Sequence, residues 1–181
     1  MLYKLRTPVN KSNAIVDLKG DTKKAVGFFI FDRDNGKFLE FTNLSFNTQN
    51  GYTSENLKLS DYLQASSNFI ILSVKAVKIL ERDIENDVIF YPCEVFCEQK
   101  IFSFKVGKIK TFRSLVNKEK SRYRKLTDGR EVLMSPVFHK VRDDFYIAKD
   151  NTYKHIYAVS DKFKNLIESY DLNIKFTELP S

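Results

Sequence analysis

The chain has 181 residues and a mass of 21.2 kDa, enough for one domain or two small ones. Hydrophobic residues make up 43% of it, which excludes a disordered chain, and the 6 glycines and 4 prolines are too few for collagen-like or linker-like classes. The net charge is +7, which favours an acidic partner.

The first sixty residues read as short strands and loops. Ala25–Phe31 is an apolar run that is followed by an Asn-Gly turn signal and by Phe38–Phe41, a pattern that predicts a β-hairpin. Residues Asn43–Asn56 are rich in Asn, Ser, Thr and Gly and predict a loop. The stretch Leu59–Leu63 predicts a short helical turn that Ser60 caps.

Two later segments share one plan: a strand, a serine-capped helix and a second strand. In the first segment, residues 68–95, the apolar run Asn68–Leu72 predicts a buried strand, and Ser73 is a good helix N-cap. In the second, residues 154–180, Ser160 takes the same place 87 residues later. Apolar residues recur at i, i+3 and i+4 in both helices. The two units are either an internal duplication or independent uses of a common unit.

The sequence between these units is rich in strand patterns. Residues Glu94–Lys110 alternate in polarity around a turn at Glu98–Lys100, and Val132–Val141 predicts a strand that a proline interrupts. An Asp-Gly pair predicts a turn just before that strand. Pro92 predicts that the strand beginning at Val88 is an edge strand or ends early.

Together these elements predict an α+β fold with mixed, mostly antiparallel sheets, in which strands outnumber helices. No stretch has the composition of an interdomain linker, so residues 1–181 are expected to form a single domain. Within it, residues 1–56 could form an N-terminal β-rich subdomain beside residues 57–181.

The cysteines and the apolar runs of the sequence predict the cellular compartment of the protein. On a strand, Cys93 and Cys97 would lie about 13 Å apart, too far for a disulfide, and only His139 and His155 could complete a metal site. We therefore expect two reduced, half-buried cysteines, no metal and no cofactor. The N-terminus lacks the apolar core of a secretory signal, and the longest apolar stretch is far shorter than the roughly 20 residues of a membrane helix. These features predict a cytoplasmic protein that does not contact a membrane.

The positive charge is concentrated in one segment. Residues 100–130 contain eleven basic and two acidic residues, a net charge of +9, which leaves −2 for the rest of the chain. Such a segment is a solvated face, a docking surface for an acidic protein, or a phosphate-binding surface. Within it, Lys118–Lys125 mixes Arg and Lys with one tyrosine on which a base could stack, but no nucleic-acid-binding motif accompanies it.

The common catalytic motifs do not occur in the sequence. It contains no G-x-G-x-x-G, no phosphate-binding loop and no G-x-S-x-G. His139 and His155 fall on strand-like segments without H-E-x-x-H spacing, and neighbouring Asp143 and Asp144 would point to opposite faces of a strand. We therefore do not expect an enzyme.

Several segments occur in an order that is typical of one protein family. They are Leu59–Leu63; the strand Val88–Val95, which resembles the family's ɸ-E-F-ɸ-P-V-x-V; Lys118–Tyr123; and Tyr157–Lys164, which resembles its ɸ-ɸ-V-S-E-x-ɸ-K junction. Over about residues 55–179 the chain resembles a family of bacterial polymorphic-toxin immunity proteins. It departs from the family pattern at Cys93, where Val is usual, and at Asn117 and Lys118, where Asp is frequent.

This resemblance implies that the protein works by binding. Members of the family neutralise a secreted toxin stoichiometrically and need no cofactor, so the implied partner is a cognate toxin domain. The alternative is a nucleic-acid-associated protein that uses the basic segment 100–130. If a basic surface docks the partner, the candidate residues are Lys118, Lys120, Arg122, Tyr123, Arg124 and Lys125. Ser121 and Tyr123 could instead order the local fold, and Asn47–Tyr52 is a second candidate surface.

Overall fold

The computed structural model describes residues 1–141 and 144–181. Within these ranges the chain forms thirteen strands in three sheets, four α-helices and a 3-10 helix at Lys37–Glu40. Eight of the ten strand pairs are antiparallel. The structure thus confirms an α+β fold with mixed, mostly antiparallel sheets.

The strands, in chain order, are β1 (Leu2–Arg6), β2 (Val16–Lys19), β3 (Leu44–Thr48), β4 (Tyr62–Gln64), β5 (Ile70–Ser73), β6 (Val88–Cys97), β7 (Lys100–Ile109), β8 (Phe112–Arg113), β9 (Arg122–Lys125), β10 (Glu131–Ser135), β11 (Ile147–Asp150), β12 (Tyr157–Ser160) and β13 (Lys175–Glu178). The helices are α1 (Thr22–Phe29), α2 (Ser54–Leu59), α3 (Val74–Ile84) and α4 (Asp161–Ser169). One sheet has the order β2-β3-β6-β7-β5-β4, the second has the order β13-β1-β12-β11-β8, and β9 and β10 form a separate hairpin.

Three apolar clusters hold these elements together. The first covers one face of the six-stranded sheet with α1 and α2, and includes the buried Phe29. The second is shared by the two large sheets and takes in the buried faces of α3 and α4, including Leu80 and Phe163. The third lies on the five-stranded sheet beneath the segment that leads to β9, and includes Leu115 and Phe145. The chain therefore buries both faces of each large sheet.

Both predicted strand–serine–helix–strand units are present. The Ser73 hydroxyl accepts a hydrogen bond from the backbone N–H of Ala76 at 3.0 Å, and the Ser160 hydroxyl accepts one from Phe163 at 3.3 Å, so both N-cap predictions are confirmed. In each unit an antiparallel strand lies between the two strands that flank the helix: β7 between β5 and β6, and β1 between β12 and β13. The units share this topology, and their origin by duplication stays a prediction.

The predicted hairpin at Ala25–Phe31 and Phe38–Phe41 is wrong. The first run forms α1, where the Asp21 carboxylate accepts a hydrogen bond from Lys24 N at 3.2 Å. Ala25, Phe28 and Phe29 repeat at i, i+3 and i+4, and all three are buried in the first apolar cluster. An apolar run of this length does not by itself separate strand from helix, and packing against the six-stranded sheet decides in favour of the helix. The second run lies at the 3-10 helix.

The predicted loop Asn43–Asn56 is also corrected. It contains β3, whose Leu44 and Phe46 are buried, and the start of α2, which Thr53 caps through a capping box with Asn56. The predicted helical turn at Leu59–Leu63 is wrong as well. Ser60 follows the end of α2, its hydroxyl donates to the Asn56 carbonyl at 2.7 Å, and the chain then enters β4. Pairing with distant strands overrides the local polarity here.

Pro92 neither ends β6 nor makes it an edge strand of the sheet, because β6 continues to Cys97 between β3 and β7. The pairing with β3 begins only at Cys93, opposite Leu44. At Pro92 itself the strand therefore has β7 on one side and no described strand on the other, a local edge where proline is tolerated. The predicted turn after Cys97 is confirmed, with positive φ at Glu98 and Gln99.

Residues 1–56 contribute strands to both large sheets. β1 lies between β12 and β13 in the five-stranded sheet, whereas β2 and β3 belong to the six-stranded sheet. These first 56 residues are thus built into the cores that the later segments complete. No helix in the described part of the chain is long and apolar enough to cross a membrane.

The two cysteines are buried and free, and their environment predicts low reactivity. Burial raises the pKa of the Cys93 thiol to about 12. We expect a thiol-specific disulfide reagent at pH 8 to react at least ~100-fold more slowly with the folded protein than with the chain in guanidinium, because the thiolate is the nucleophile. Stopped-flow absorbance measures both rates. Equally fast labelling of the folded protein would contradict the buried placement of β6.

The buried phenols of Tyr62 and Tyr157 predict a loss of stability in alkaline solution. Their hydroxyl oxygens lie 3.3 Å apart, and burial raises the pKa of both groups, that of Tyr157 to about 12. Unfolded tyrosines ionise near pH 10, so this contribution to the free energy of unfolding is complete below about pH 10 and is lost as the pH rises to 12. Urea unfolding between pH 8 and 11 should show a shallower decline for Tyr157→Phe. Equal declines would refute this account.

Candidate partner-binding surface

The six candidate residues lie together in one structural unit. Lys118 and Lys120 are in the loop that precedes β9, and Arg122–Lys125 form β9 itself. We call the segment from Asn117 to Ser135, which contains this loop, β9, the turn and β10, the basic hairpin. Its five candidate basic side chains are exposed, and Tyr123 is half-buried.

Asp150, at the end of β11, anchors the chain that enters the basic hairpin. It is 3% exposed, and one carboxylate oxygen accepts hydrogen bonds from the backbone N–H groups of Leu115 and Val116, both at 2.9 Å. The other oxygen accepts from Thr152 at 2.8 Å and Tyr153 at 2.7 Å. One carboxylate thus ties four backbone groups from two loops to the five-stranded sheet.

Polar side chains inside the loop fix its shape. The Ser121 hydroxyl donates to the Asn117 carbonyl at 2.6 Å and accepts from Val137 N at 2.9 Å. The Asn117 side-chain oxygen accepts from the N–H groups of Glu119 and Lys120. Ser121 therefore orders the local fold and is buried, which leaves Lys118 and Lys120 on the outside.

Strand register separates the two faces of the basic hairpin. Tyr123 lies opposite Leu133, and Tyr153 donates a hydrogen bond to its hydroxyl at 3.1 Å, so this face is turned toward the body of the protein. Arg124 lies opposite Val132 on the other face, because side chains alternate along a strand. The structure therefore places Tyr123 with the supporting contacts rather than with the outward arginines.

The outward face combines charge with exposed apolar groups. Val132 is 43% exposed and Met134 is 57% exposed on the strand beside Arg122 and Arg124. Within residues 1–141 and 144–181, none of the five candidate basic side chains forms an ion pair. Arg and Met are residue types that are enriched at protein interfaces, and both occur on this hairpin.

The rest of the basic segment 100–130 lies elsewhere. Lys100, Lys105 and Lys108 belong to β7 in the six-stranded sheet, and Lys108 pairs with Asp32 at 3.2 Å. The Lys110 ammonium donates to the Glu85 carbonyl. Arg113 belongs to β8 in the five-stranded sheet. The run of charge seen in the sequence is therefore divided among all three sheets, and only its second half forms the basic hairpin.

The histidines, the aspartate pair and the second candidate surface lie outside the basic hairpin. His139 and His155 are exposed, and Asp144 pairs with Arg113 at 3.1 Å, while Asp143 lies outside the described residues. The described part of the chain contains no cluster of three or more His, Cys, Asp or Glu residues that could hold a metal ion. In Asn47–Tyr52, the second candidate surface, Tyr52 is buried and its hydroxyl donates to Thr7 at 3.0 Å.

No protein-family model matches this chain, and no curated protein matches its sequence.

Proposed function

We propose that this protein is an immunity protein that binds and neutralises a cognate secreted bacterial toxin, with the basic hairpin as its docking surface. The observation that carries the proposal is the outward face of β9 and β10, where Arg122 and Arg124 lie beside exposed Val132, with exposed Met134 at the adjoining irregularity of β10. An acidic patch on the toxin would complement this face, and the charge would speed association and help to select the partner.

The frame beneath the surface supports a binding role. Asp150 and Ser121 fix the backbone on both sides of the loop by hydrogen bonds of 2.6–2.9 Å. A surface that is ordered before binding loses little conformational entropy on binding, which favours tight association. Stoichiometric inhibition depends on such tight association. It requires no catalytic group or cofactor.

A protein partner fits this surface better than a nucleic acid does. Base stacking needs an accessible aromatic face, whereas Tyr123, the tyrosine of β9, is turned toward the body of the protein and bonded to Tyr153. Val132 and Met134 also offer apolar area that a phosphate backbone would not cover. Binding to generic duplex DNA that weakens steeply with salt would instead support the nucleic-acid alternative.

The first test is co-expression with the C-terminal domain that the neighbouring open reading frame encodes. We expect that domain alone to stop growth, and we expect this protein to restore growth and to co-purify with it. A harmless neighbour, or the absence of a complex, would refute the proposal.

Charge reversal then tests the surface. Arg122→Glu combined with Arg124→Glu should weaken toxin binding at least ~10-fold in isothermal calorimetry, because both reversed charges would meet an acidic patch. The matched control is Lys78→Glu with Arg82→Glu, which makes the same change in net charge on the exposed side of α3. Equal affinities for the two double variants would move the docking surface away from the basic hairpin.

A further inference from the structure

An open cleft of 440 Å³ lies beside the basic hairpin. Its walls are formed by the end of β10 with the proline that follows it, the C-terminal segment after β13, and the residues at the start of β12. The lining residues include Lys4, Met134, Pro136, Ile156, Leu179 and Pro180. A volume of this size falls in the range of binding sites for small ligands or for anchoring side chains. The lining is mostly apolar, so the cleft suits an aromatic or aliphatic group.

The path of the chain explains why the cleft exists. The five-stranded sheet is covered by the segment from Leu115 to Phe138, and Phe138 N donates to the Pro180 carbonyl at 2.7 Å, which closes the cover at that point. The cleft lies between β10 and this C-terminal segment. Lys4, which by alternation lies on the same face of β1 as Leu2, is left at the cleft.

Lys4 brings a positive charge to this apolar site. It is half-buried, and it forms no ion pair or side-chain hydrogen bond with any residue of the described ranges. Burial lowers the pKa of its ammonium group, and Arg6 on the same strand adds to that effect. A carboxylate that entered the cleft would supply the missing counter-charge.

We propose that this cleft is the anchor pocket of the docking surface and receives an apolar side chain of the toxin together with a neighbouring carboxylate. The inference rests on the proposed function and extends it, because it states the chemistry of the toxin segment. The cleft and the basic face share β10: Met134 and Ser135 line the cleft, and Ser135 pairs with Arg122 of β9. A partner that covers the outward face of the hairpin therefore also reaches the cleft.

The test compares variants of the intact protein for binding to the toxin domain by isothermal calorimetry. Ser135→Trp places an indole at the mouth of the cleft and should weaken binding at least ~10-fold. Lys4→Met keeps the aliphatic stem but removes the charge, and should weaken binding ~5-fold. Asn165→Trp, on the exposed side of α4 and outside both the hairpin and the cleft, is the matched control and should bind like the wild type. Since the chain has no tryptophan, the indole emission of Ser135→Trp also reports whether toxin covers this position.

The outcomes separate the two proposals. If Arg122→Glu with Arg124→Glu weakens binding while Ser135→Trp and Lys4→Met bind like the wild type, the pocket is refuted and the docking surface stands. If the wild type does not bind the toxin domain, both proposals fail. Should Ser135→Trp unfold, as judged by circular dichroism, Met134→Ser takes its place and should weaken binding ~5-fold by removing apolar lining.

Discussion

Replacing Asp150 with alanine should lower the free energy of unfolding by about 4 kcal/mol, a large part of the stability of a domain of this size. The carboxylate is buried and accepts four backbone hydrogen bonds of 2.7–2.9 Å, from Leu115, Val116, Thr152 and Tyr153. Alanine would leave all four N–H groups without this acceptor, and those of Leu115 and Val116 are buried, where each unsatisfied donor costs about 1–3 kcal/mol. Urea unfolding followed by circular dichroism measures the change.

Two companion variants make the result specific to Asp150. Asp150→Asn keeps one oxygen acceptor and should cost less than alanine, while Asp83→Ala, an exposed aspartate on α3, should change stability by less than ~0.5 kcal/mol. If Asp150→Ala behaved like Asp83→Ala, the carboxylate would not be the anchor of the basic hairpin. Under the proposed function, the destabilised variant should also bind the toxin domain more weakly, because the loop between Leu115 and Ser121 loses hydrogen bonds that hold it in place.

Lys149→Met is the second substitution for which we expect a large loss of stability, about 3–5 kcal/mol. The side chain is 2% exposed, and its ammonium donates to the carbonyls of Phe29 and Ile30 at 2.8 and 3.0 Å and to the Asp32 carboxylate at 3.1 Å. Burial lowers the pKa of Lys149 and the charge of Asp32 opposes that shift. Methionine has a similar length but no donor, so two carbonyls at the end of α1 and one carboxylate oxygen would lose their partner.

The contact also joins distant parts of the fold, since Lys149 lies on β11 and the groups it binds lie at the last residue of α1 and just after it. Lys108 on β7 reaches the same carboxylate at 3.2 Å, so Asp32 keeps one counter-charge in the variant. The control is Lys24→Met, which removes an exposed lysine 3.9 Å from Asp21 and should cost less than ~1 kcal/mol. Chemical unfolding of both variants provides the comparison, and equal stabilities would show that the buried ammonium is replaceable.

The sequence alone predicted the parts of the fold whose signals are local. Ser73 and Ser160 each follow an apolar run and precede a helical repeat of apolar residues, so the strand, cap and helix agree within a few residues of one another. The hairpin turn after Cys97 has positive φ at Glu98 and Gln99. The same holds for the turn at Gly129, where φ is +83°. These features need no distant partner, and they stand as predicted.

Tertiary packing, in contrast, decides whether a short apolar run forms a strand or a helix. Ala25–Phe31 is compatible with a strand or a helix, and it becomes α1 because Phe28 and Phe29 pack edge-to-face against Tyr91 from β6. Leu44 to Thr48 reads as part of a polar loop, and it becomes β3 because β2 and β6 supply its hydrogen bonds. The partners lie tens of residues away along the chain, so local polarity could not identify them.

For the candidate surface, too, one part could be predicted from the sequence and another part only from the tertiary structure. Composition located the positive charge and the candidate residues Lys118–Lys125, because charge counts need no coordinates. Only the tertiary structure shows that Tyr123 is turned inward and that Lys4 shares a cleft with Met134. The tertiary structure also shows that the charged side chains of Lys149 and Asp150 are buried. Their residue types alone would predict that both are exposed to solvent. Burial of a charge is tolerated only where partners replace its hydration, and here those partners are backbone and side-chain groups brought together by folding.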